Sequence, residues 1–280
     1  MVDVGLNLQH LPALDTAAQV AEIAVAAEQR GLHSIWVSEH IALPARVETK
    51  DPYNEGGRLP FDLDTLYPEA MVLLGYVAGV TRTLRLGTYV VPVIARDPLS
   101  LAKQAATVDV LSGGRLELGV GAGYLVEEGE LLGHPTDSRA GRLAETIEIL
   151  RRAWAKPVFE HSGRFWQYPA VAVRPGPVQP SVPVWVGGSS PSALRTATRW
   201  GDGVLVPKAT PEEVARVRGI VPPSCRVSAG WHVSRTAGDL AAAEALRDAG
   251  ADLLIVHAGT DAIEVIPALH RLADEVLPHL

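Results

Sequence analysis

Glu39 and His40 close the apolar run SIWVSEH, and an imidazole beside a carboxylate is a pairing that moves protons near neutral pH. On the residues alone two readings of His40 stand: an acid/base group, or a histidine satisfied within the packing. A second group of residues suits anions. The stretch VWVGGSSPSALR passes from an apolar segment through Gly187, Gly188, Ser189 and Ser190 to Pro191, the order expected where a strand hands over to a helix. N–H groups at a helix start lack intrahelical partners, and two glycines leave room for approach, so this turn reads as a phosphate cup. Ser190 can instead serve only as a helix cap. Arg195 and Arg199, one turn further on, read as a solvated face. A third group, Gly119, Gly121 and Gly123, alternates along one strand and shares one face, where missing side chains leave space for neighbouring bulk or a ligand. The same parity turns Tyr89 inward, and His232 and His257 end two further apolar runs as pocket candidates.

Other chemistries find no support. Gly-x-Gly-x-Gly at a strand end is not a dinucleotide fingerprint, and the chain has neither a P-loop nor a Gly-x-Ser-x-Gly elbow. No His/Asp/Glu cluster has the spacing of a metal site. A formal charge of -7 argues against nucleic acid or an anionic membrane surface as the main partner. Cys225 is the only cysteine, which excludes an internal disulfide and suits a reducing cytoplasm. No run reaches the roughly 18 apolar residues that a spanning helix needs.

These residues must be positioned by a scaffold, and the chain repeats one pattern about eight times: a short apolar run, then a longer stretch of helical spacing. The runs are 2–8, 34–40, 84–91, 116–123, 182–188, 203–207, 227–233 and 252–258. The helical stretches lie near 15–30, 67–81, 98–111, 138–155, 191–200, 211–218, 239–249 and 262–277. Parallel strands joined by crossover helices explain this alternation, and 280 residues, 47% of them hydrophobic, suit a single (β/α)8 TIM barrel of the α/β class. Gly113 and Gly114 fall after a helix and before a strand, a stabilising turn at the bottom of the barrel, with Asp109 and Arg115 expected to pair across it. Arg85 and Glu117 face inward and should meet low in the barrel. Two connections are long. Segment 41–66 follows a strand and is expected to be a lid on the catalytic rim, with Trp36, Tyr53 and Phe61 nearby. Segment 156–181 follows a helix and is expected on the opposite rim, carrying a small hairpin about Ser162 and Gly163.

Taken together, TRTLRLGTYVVPVIARDPLSLAKQAATVDVLSGGRLELGVGAGY and VPVWVGGSSPSALRTATRWGDG resemble the luciferase-like monooxygenase superfamily, especially its branch of coenzyme F420-dependent oxidoreductases. The resemblance implies a (β/α)8 barrel, a flavin-type ring in the barrel mouth and a tail phosphate at Gly187 to Ser190. It implies a bulge after the third strand with a cis peptide at Tyr89-Val90 pressing on the ring; strand parity already turns the open volume near Gly121, Gly123 and Tyr89 towards the same mouth. It gives His40 proton transfer, Glu39 a ring contact and Glu127 a contact to the cofactor. Relatives that oxidise sugar phosphates carry a glutamate where this chain has Tyr124, so Tyr124 becomes either a residue that positions some other substrate or a plain wall residue. The implied function is hydride transfer between F420 and a small organic substrate. The alternatives are an FMN-dependent monooxygenase and a flavin-type cofactor-binding protein without turnover. Family members are commonly homodimers, and PEAMVLLGYVAGV (68–80) would suit the subunit contact.

Overall fold

In a computed structural model of the chain, residues 2–8, 16–53, 55–59, 61–232, 238–257 and 262–280 are described. The apolar runs form strands β1 (Asp3–Asn7), β2 (Ser34–Val37), β3 (Arg85–Thr88), β4 (Val91–Pro92), β5 (Leu116–Gly121), β8 (Val184–Gly187), β9 (Gly203–Val206), β10 (Arg226–His232) and β11 (Leu253–His257). Every pairing among them is parallel, and contacts of β3 with both β2 and β5 close the ring. β3 and β4 are one barrel strand interrupted at Tyr89-Val90, so the ring has eight strands, as the alternation requires. Helices α1 (Ala17–Gln29), α2 (Ala70–Val80), α3 (Pro98–Ser112), α5 (Arg139–Ala155), α6 (Pro191–Trp200), α7 (Pro211–Arg218), α8 (Asp239–Asp248) and α9 (Ala262–Arg271) return the chain between strands. Pro98, Pro191 and Pro211 each occupy a first helical turn, behind the capping side chains of Asp97, Ser190 and Thr210. A short helix, α4 (Val126–Leu131), has no counterpart in the expected elements. Among the described residues no helix is long and apolar enough to cross a membrane.

The core has two compartments. The larger lies between strands and helices; the smaller fills the barrel with Trp36, Trp185, Leu205, Leu253 and Ile255. The two indoles meet edge to face at 5.7 Å, a favourable aromatic geometry. Trp36 is fully buried, so it forms part of the barrel floor and not of a lid. Glu117 accepts from Trp185 Nε1 at 2.9 Å and also pairs with Arg85, the inward ion pair expected low in the barrel.

The bottom turn holds with one correction. Gly113 caps α3 at φ 69°, the left-handed conformation that favours glycine. Asp109 and Arg115, however, do not pair. Asp109 accepts from the amides of Val178 and Gln179 at 2.7 and 3.0 Å. Arg115 donates to the carbonyls of Ser112, Leu84, Ala78 and Thr81 and to Thr81 Oγ1. A guanidinium has five N–H donors in a fork, and here the surrounding carbonyls outcompete a single carboxylate.

The segment 156–181 departs further from expectation. It starts and ends at the bottom rim, but its hairpin, β6 (Phe159–Ser162) with β7 (Gln167–Val171), climbs the outside of the barrel along α5. Glu145 of α5 clamps the tip by accepting from the amides of Arg164, Phe165 and Trp166 and from His161 Nε2. These charge-assisted bonds outweigh the penalty of burial and hold the Glu145 carboxyl below its ordinary pKa. Arg164 thereby reaches the upper rim.

Candidate active site

A cavity of about 1220 Å³ opens at the carboxyl ends of the strands, lined by residues that follow β2, β3, β5, β8 and β9 and by the last residues of β10 and β11. This is the end of a barrel where βα-loops converge and where side chains can be positioned without disturbing the core.

His40 lines this mouth. Its Nδ1 lies 2.7 Å from Glu128 Oε2, and Glu128 is 1% exposed. The other oxygen of Glu128 accepts from the amides of Ile41 and Ala42 at 2.5 and 3.3 Å. An ionised carboxylate only accepts, so Nδ1 carries a proton, and in the neutral ring Nε2 keeps a lone pair for a ligand. Phe61 and Tyr67 wall the ring at centroid distances of 4.9 Å each, and Tyr124 stands edge-on at 5.9 Å.

Glu39 turns the other way, as alternation along an extended segment requires. Its oxygens accept from the Ala70 amide at 2.9 Å and from Arg96 Nη2 and Nε at 2.6 and 3.0 Å, and Arg96 also binds Glu69. Burial opposes the charge on Arg96, but the carboxylates of Glu39 and Glu69 outweigh it and raise its pKa. Glu39 and His40 are thus separated by direction, despite being neighbours in sequence.

The Tyr89-Val90 peptide is cis, and Ser38 Oγ donates to the Tyr89 carbonyl at 2.8 Å. The Val90 methyls occupy the space that side chains at Gly121 and Gly187 would take; a Cβ there would lie 2.6 and 2.8 Å from them. The strand glycines therefore admit the bulge of the neighbouring strand and do not by their own vacancy create the hollow. Gly119 is likewise backed by the Thr88 carbonyl, and Gly123, at φ 77°, faces Ile94 and Pro92. Tyr89 points to Gly230, where a Cβ would lie 2.7 Å from its hydroxyl, and packs edge-on against His257 at 5.6 Å. Burial raises the pKa of the Tyr89 phenol, and its oxygen is buried without a hydrogen-bond partner among the described residues.

At the expected anion cup the structure assigns the groups unequally. The Gly188 amide is taken by the Leu205 carbonyl at 2.8 Å, and Ser190 Oγ caps α6 through the Ala193 amide at 3.3 Å. The amides of Ser189 and Ser190 have no backbone partner among the described residues. Beside them Arg216 donates to the Ser189 carbonyl at 2.9 Å and to Glu213, holding the Glu213 carboxyl at about 2. Arg195 and Arg199 are exposed on α6, away from the mouth lining.

The described residues of segment 41–66 reach this mouth. Asp51, Pro52 and Tyr53 line the cavity, and Tyr53 Oη stands 3.1 Å from where a Cβ on Gly188 would be. Two adjacent glutamates of α4 secure the segment. Glu128 holds residues 41 and 42, whereas Glu127 accepts from the amides of Glu48 and Thr49 at 2.7 and 2.9 Å. Glu127 therefore lies under the lid rather than on the cavity wall. Burial would raise its pKa, but the amide bonds prevail and bring it to about 2. Tyr124 stays a protonated donor, because burial and then the negative charge of Asp51 push its phenol upward. His232 and His257, paired across β10 and β11, stack at 4.7 Å and both line the mouth.

Reasoning from sequence missed Glu128, Arg139 and Arg164. Arg139 Nη1 donates to the carbonyls of Gly123 and Tyr124 at 2.6 and 3.2 Å, while Arg164 arrives on the hairpin tip. Glu128 had a weak signal, two adjacent glutamates. Successive helical residues point about 100° apart, so one can serve the lid and the other His40, but a six-residue helix has too little periodicity to be recognised.

The family model of luciferase-like monooxygenases matches residues 3–221. An uncharacterised protein of Mycobacterium tuberculosis is 36% identical over 195 residues, covering 70% of this chain and 67% of its own. Among solved structures, monooxygenase RslO1 from Streptomyces bottropensis superposes with a TM-score of 0.78 at 22% identity over 99% of both chains. The coenzyme F420-dependent tetrahydromethanopterin reductase from Methanopyrus kandleri does so with 0.76 at 18% identity, also over 99% of both.

Proposed function

Because the chain belongs to the luciferase-like monooxygenase family, we propose that it is an oxidoreductase exchanging a hydride between coenzyme F420 and a small organic substrate in the barrel mouth. The observation that carries this reading is His40, oriented by the buried Glu128, on a cavity that also reaches the Gly187 to Ser190 turn three strands round the barrel. The residues present fit such a cofactor. Tyr89 and Val90 offer a wall for a flat ring, the amides of Ser189 and Ser190 suit an anionic tail, and the orphaned Tyr89 hydroxyl has a hydrogen bond to give. When bound, the deazaflavin supplies the two-electron chemistry.

The chain's own groups do the remainder. His40 Nε2 takes or returns the proton that leaves or joins the substrate oxygen. Glu128 fixes the tautomer and stabilises the imidazolium that forms, and Tyr124 donates a hydrogen bond to position the substrate. Tyr53 and Phe61 on the lid exclude water. In this reading Glu39 braces the segment behind His40 without touching the ring, and Glu127 holds the lid. The protein works in the cytoplasm as a homodimer.

An FMN-dependent monooxygenase is the second reading, supported by the likeness to a flavin-dependent trigonelline monooxygenase of Acinetobacter baylyi, 31% identical over 215 residues. Titrating the purified protein with F420 and with FMN, each followed by fluorescence quenching, separates them. F420 should be quenched at far lower protein concentration than FMN, and His40→Ala should keep that binding while turnover collapses. Quenching of FMN alone would overturn the deazaflavin assignment.

A further inference from the structure

The hairpin of segment 156–181 delivers a guanidinium to the mouth, and nothing in the site described so far uses it. Arg164 lines the cavity beside Arg139 and Gly141 at the start of α5. Among the described residues neither Arg139 nor Arg164 forms an ion pair: Arg139 is held by two carbonyls, and Arg164 lies over the Phe165 ring at 5.0 Å. Elsewhere in this acidic chain guanidiniums commonly sit against carboxylates, as Arg85, Arg96, Arg142, Arg151 and Arg226 do.

The tip is also built to stay where it is. Glu145 takes three of its backbone amides, the guanidiniums of Arg142 and Arg164 both lie over the Phe165 ring, and Gly141 leaves room for that ring, which a Cβ there would meet at 2.9 Å. Two cations without an ion-pair partner among the described residues, both on the lining of one cavity, lower the energy of an anion that approaches them. Arg139 and Arg164 stand at the start of α5 and on the hairpin, whereas the Ser189 and Ser190 amides lie at the start of α6, so a ligand that engages both sets carries more than one anionic group.

We propose that the lobe between Arg139 and Arg164 binds carboxylates that lie beyond the first phosphate of the cofactor tail. The inference rests on the deazaflavin reading above. By this means the insertion distinguishes a long polyanionic tail, a phosphodiester followed by glutamates, from the single terminal phosphate of FMN. Arg164 is the selective residue, because Arg139 is already engaged in holding the Gly123 and Tyr124 carbonyls.

The test is a binding titration by fluorescence quenching with F420 bearing several glutamates, F420 bearing none, and FMN, on wild type and Arg164→Glu. Wild type should bind the glutamylated form about tenfold more tightly than the form without glutamates, with the difference shrinking as salt rises. Arg164→Glu should abolish that preference and leave the affinity for the form without glutamates within about twofold. Circular dichroism checks that the variant is folded, and Arg164→Ala supplies an intermediate should the reversal disturb the hairpin. Equal, tight binding of both F420 forms by wild type overturns the subsite and leaves the deazaflavin reading intact. Binding of FMN with neither F420 form overturns that reading and the subsite with it.

Discussion

Replacing Glu128 by glutamine changes one atom and reverses one hydrogen bond. The carboxylate now accepts from His40 Nδ1 at 2.7 Å and from the amides of Ile41 and Ala42 at 2.5 and 3.3 Å. A carboxamide has one acceptor oxygen, and the two lid amides claim it. Its NH2 then faces Nδ1, which must accept, so the ring proton moves to Nε2 and the lone pair is withdrawn from the mouth. Loss of a positioned acid/base group costs about 10²- to 10⁴-fold in rate, and turnover should fall by at least about 100-fold. Glu128 does not line the cavity, so cofactor affinity should stay within about threefold. The buried charge-assisted bonds lost are worth about 2 kcal/mol, a visible but tolerable drop in Tm for a chain of this length. Nitrogen-15 shifts of His40 read the tautomer directly, which a merely structural role would not move. A folded Glu128→Gln protein with native turnover, or one with an unchanged His40 tautomer, refutes the reasoning.

Gly121→Val should push Val90 from its seat, where even a Cβ would lie 2.6 Å from its methyl; overpacking costs about 1–3 kcal/mol and weakens cofactor binding in the same titration. The Glu127 carboxyl is depressed from 4.5 to about 2, so the folded protein binds that proton less readily than the unfolded chain. Its stabilisation is complete above about pH 4.5 and disappears as pH falls towards 2, and the Tm gap between wild type and Glu127→Gln should close over that window. Arg115→Ala leaves four bottom-rim carbonyls without their donor; it should cost about 3 kcal/mol in denaturant unfolding without altering cofactor affinity, since it lies at the opposite end from the mouth. Val72 on α2 is 73% exposed, and if this face is the subunit contact, Val72→Asp yields monomers in sedimentation.

The barrel was legible because its signal is redundant: eight apolar runs each separated by a helical stretch outweigh an error in any one. The location of residues at strand ends was legible for the same reason, since position within a (β/α) unit assigns a rim. His40, Tyr89 and the Gly187 to Ser190 turn were therefore placed at the mouth. What stayed hidden depends on direction and on long-range pairing. Glu39 and His40 point to opposite sides of one extended segment, and Glu128 is 88 positions from the ring it orients. The rule that a segment following a helix stays at the lower rim failed for 156–181 because a hairpin has its own length and can climb. The inward glycines were placed on the proper strand, but their volume belongs to Val90, a neighbour no single-strand pattern discloses.

Glu145 grips the hairpin through main-chain N–H groups, which every residue at those three places except proline would supply. The side chain at 164 can thus be exchanged while the main-chain grip of Glu145 persists, so under the proposed reading this barrel changes which tails it accepts without renegotiating its architecture.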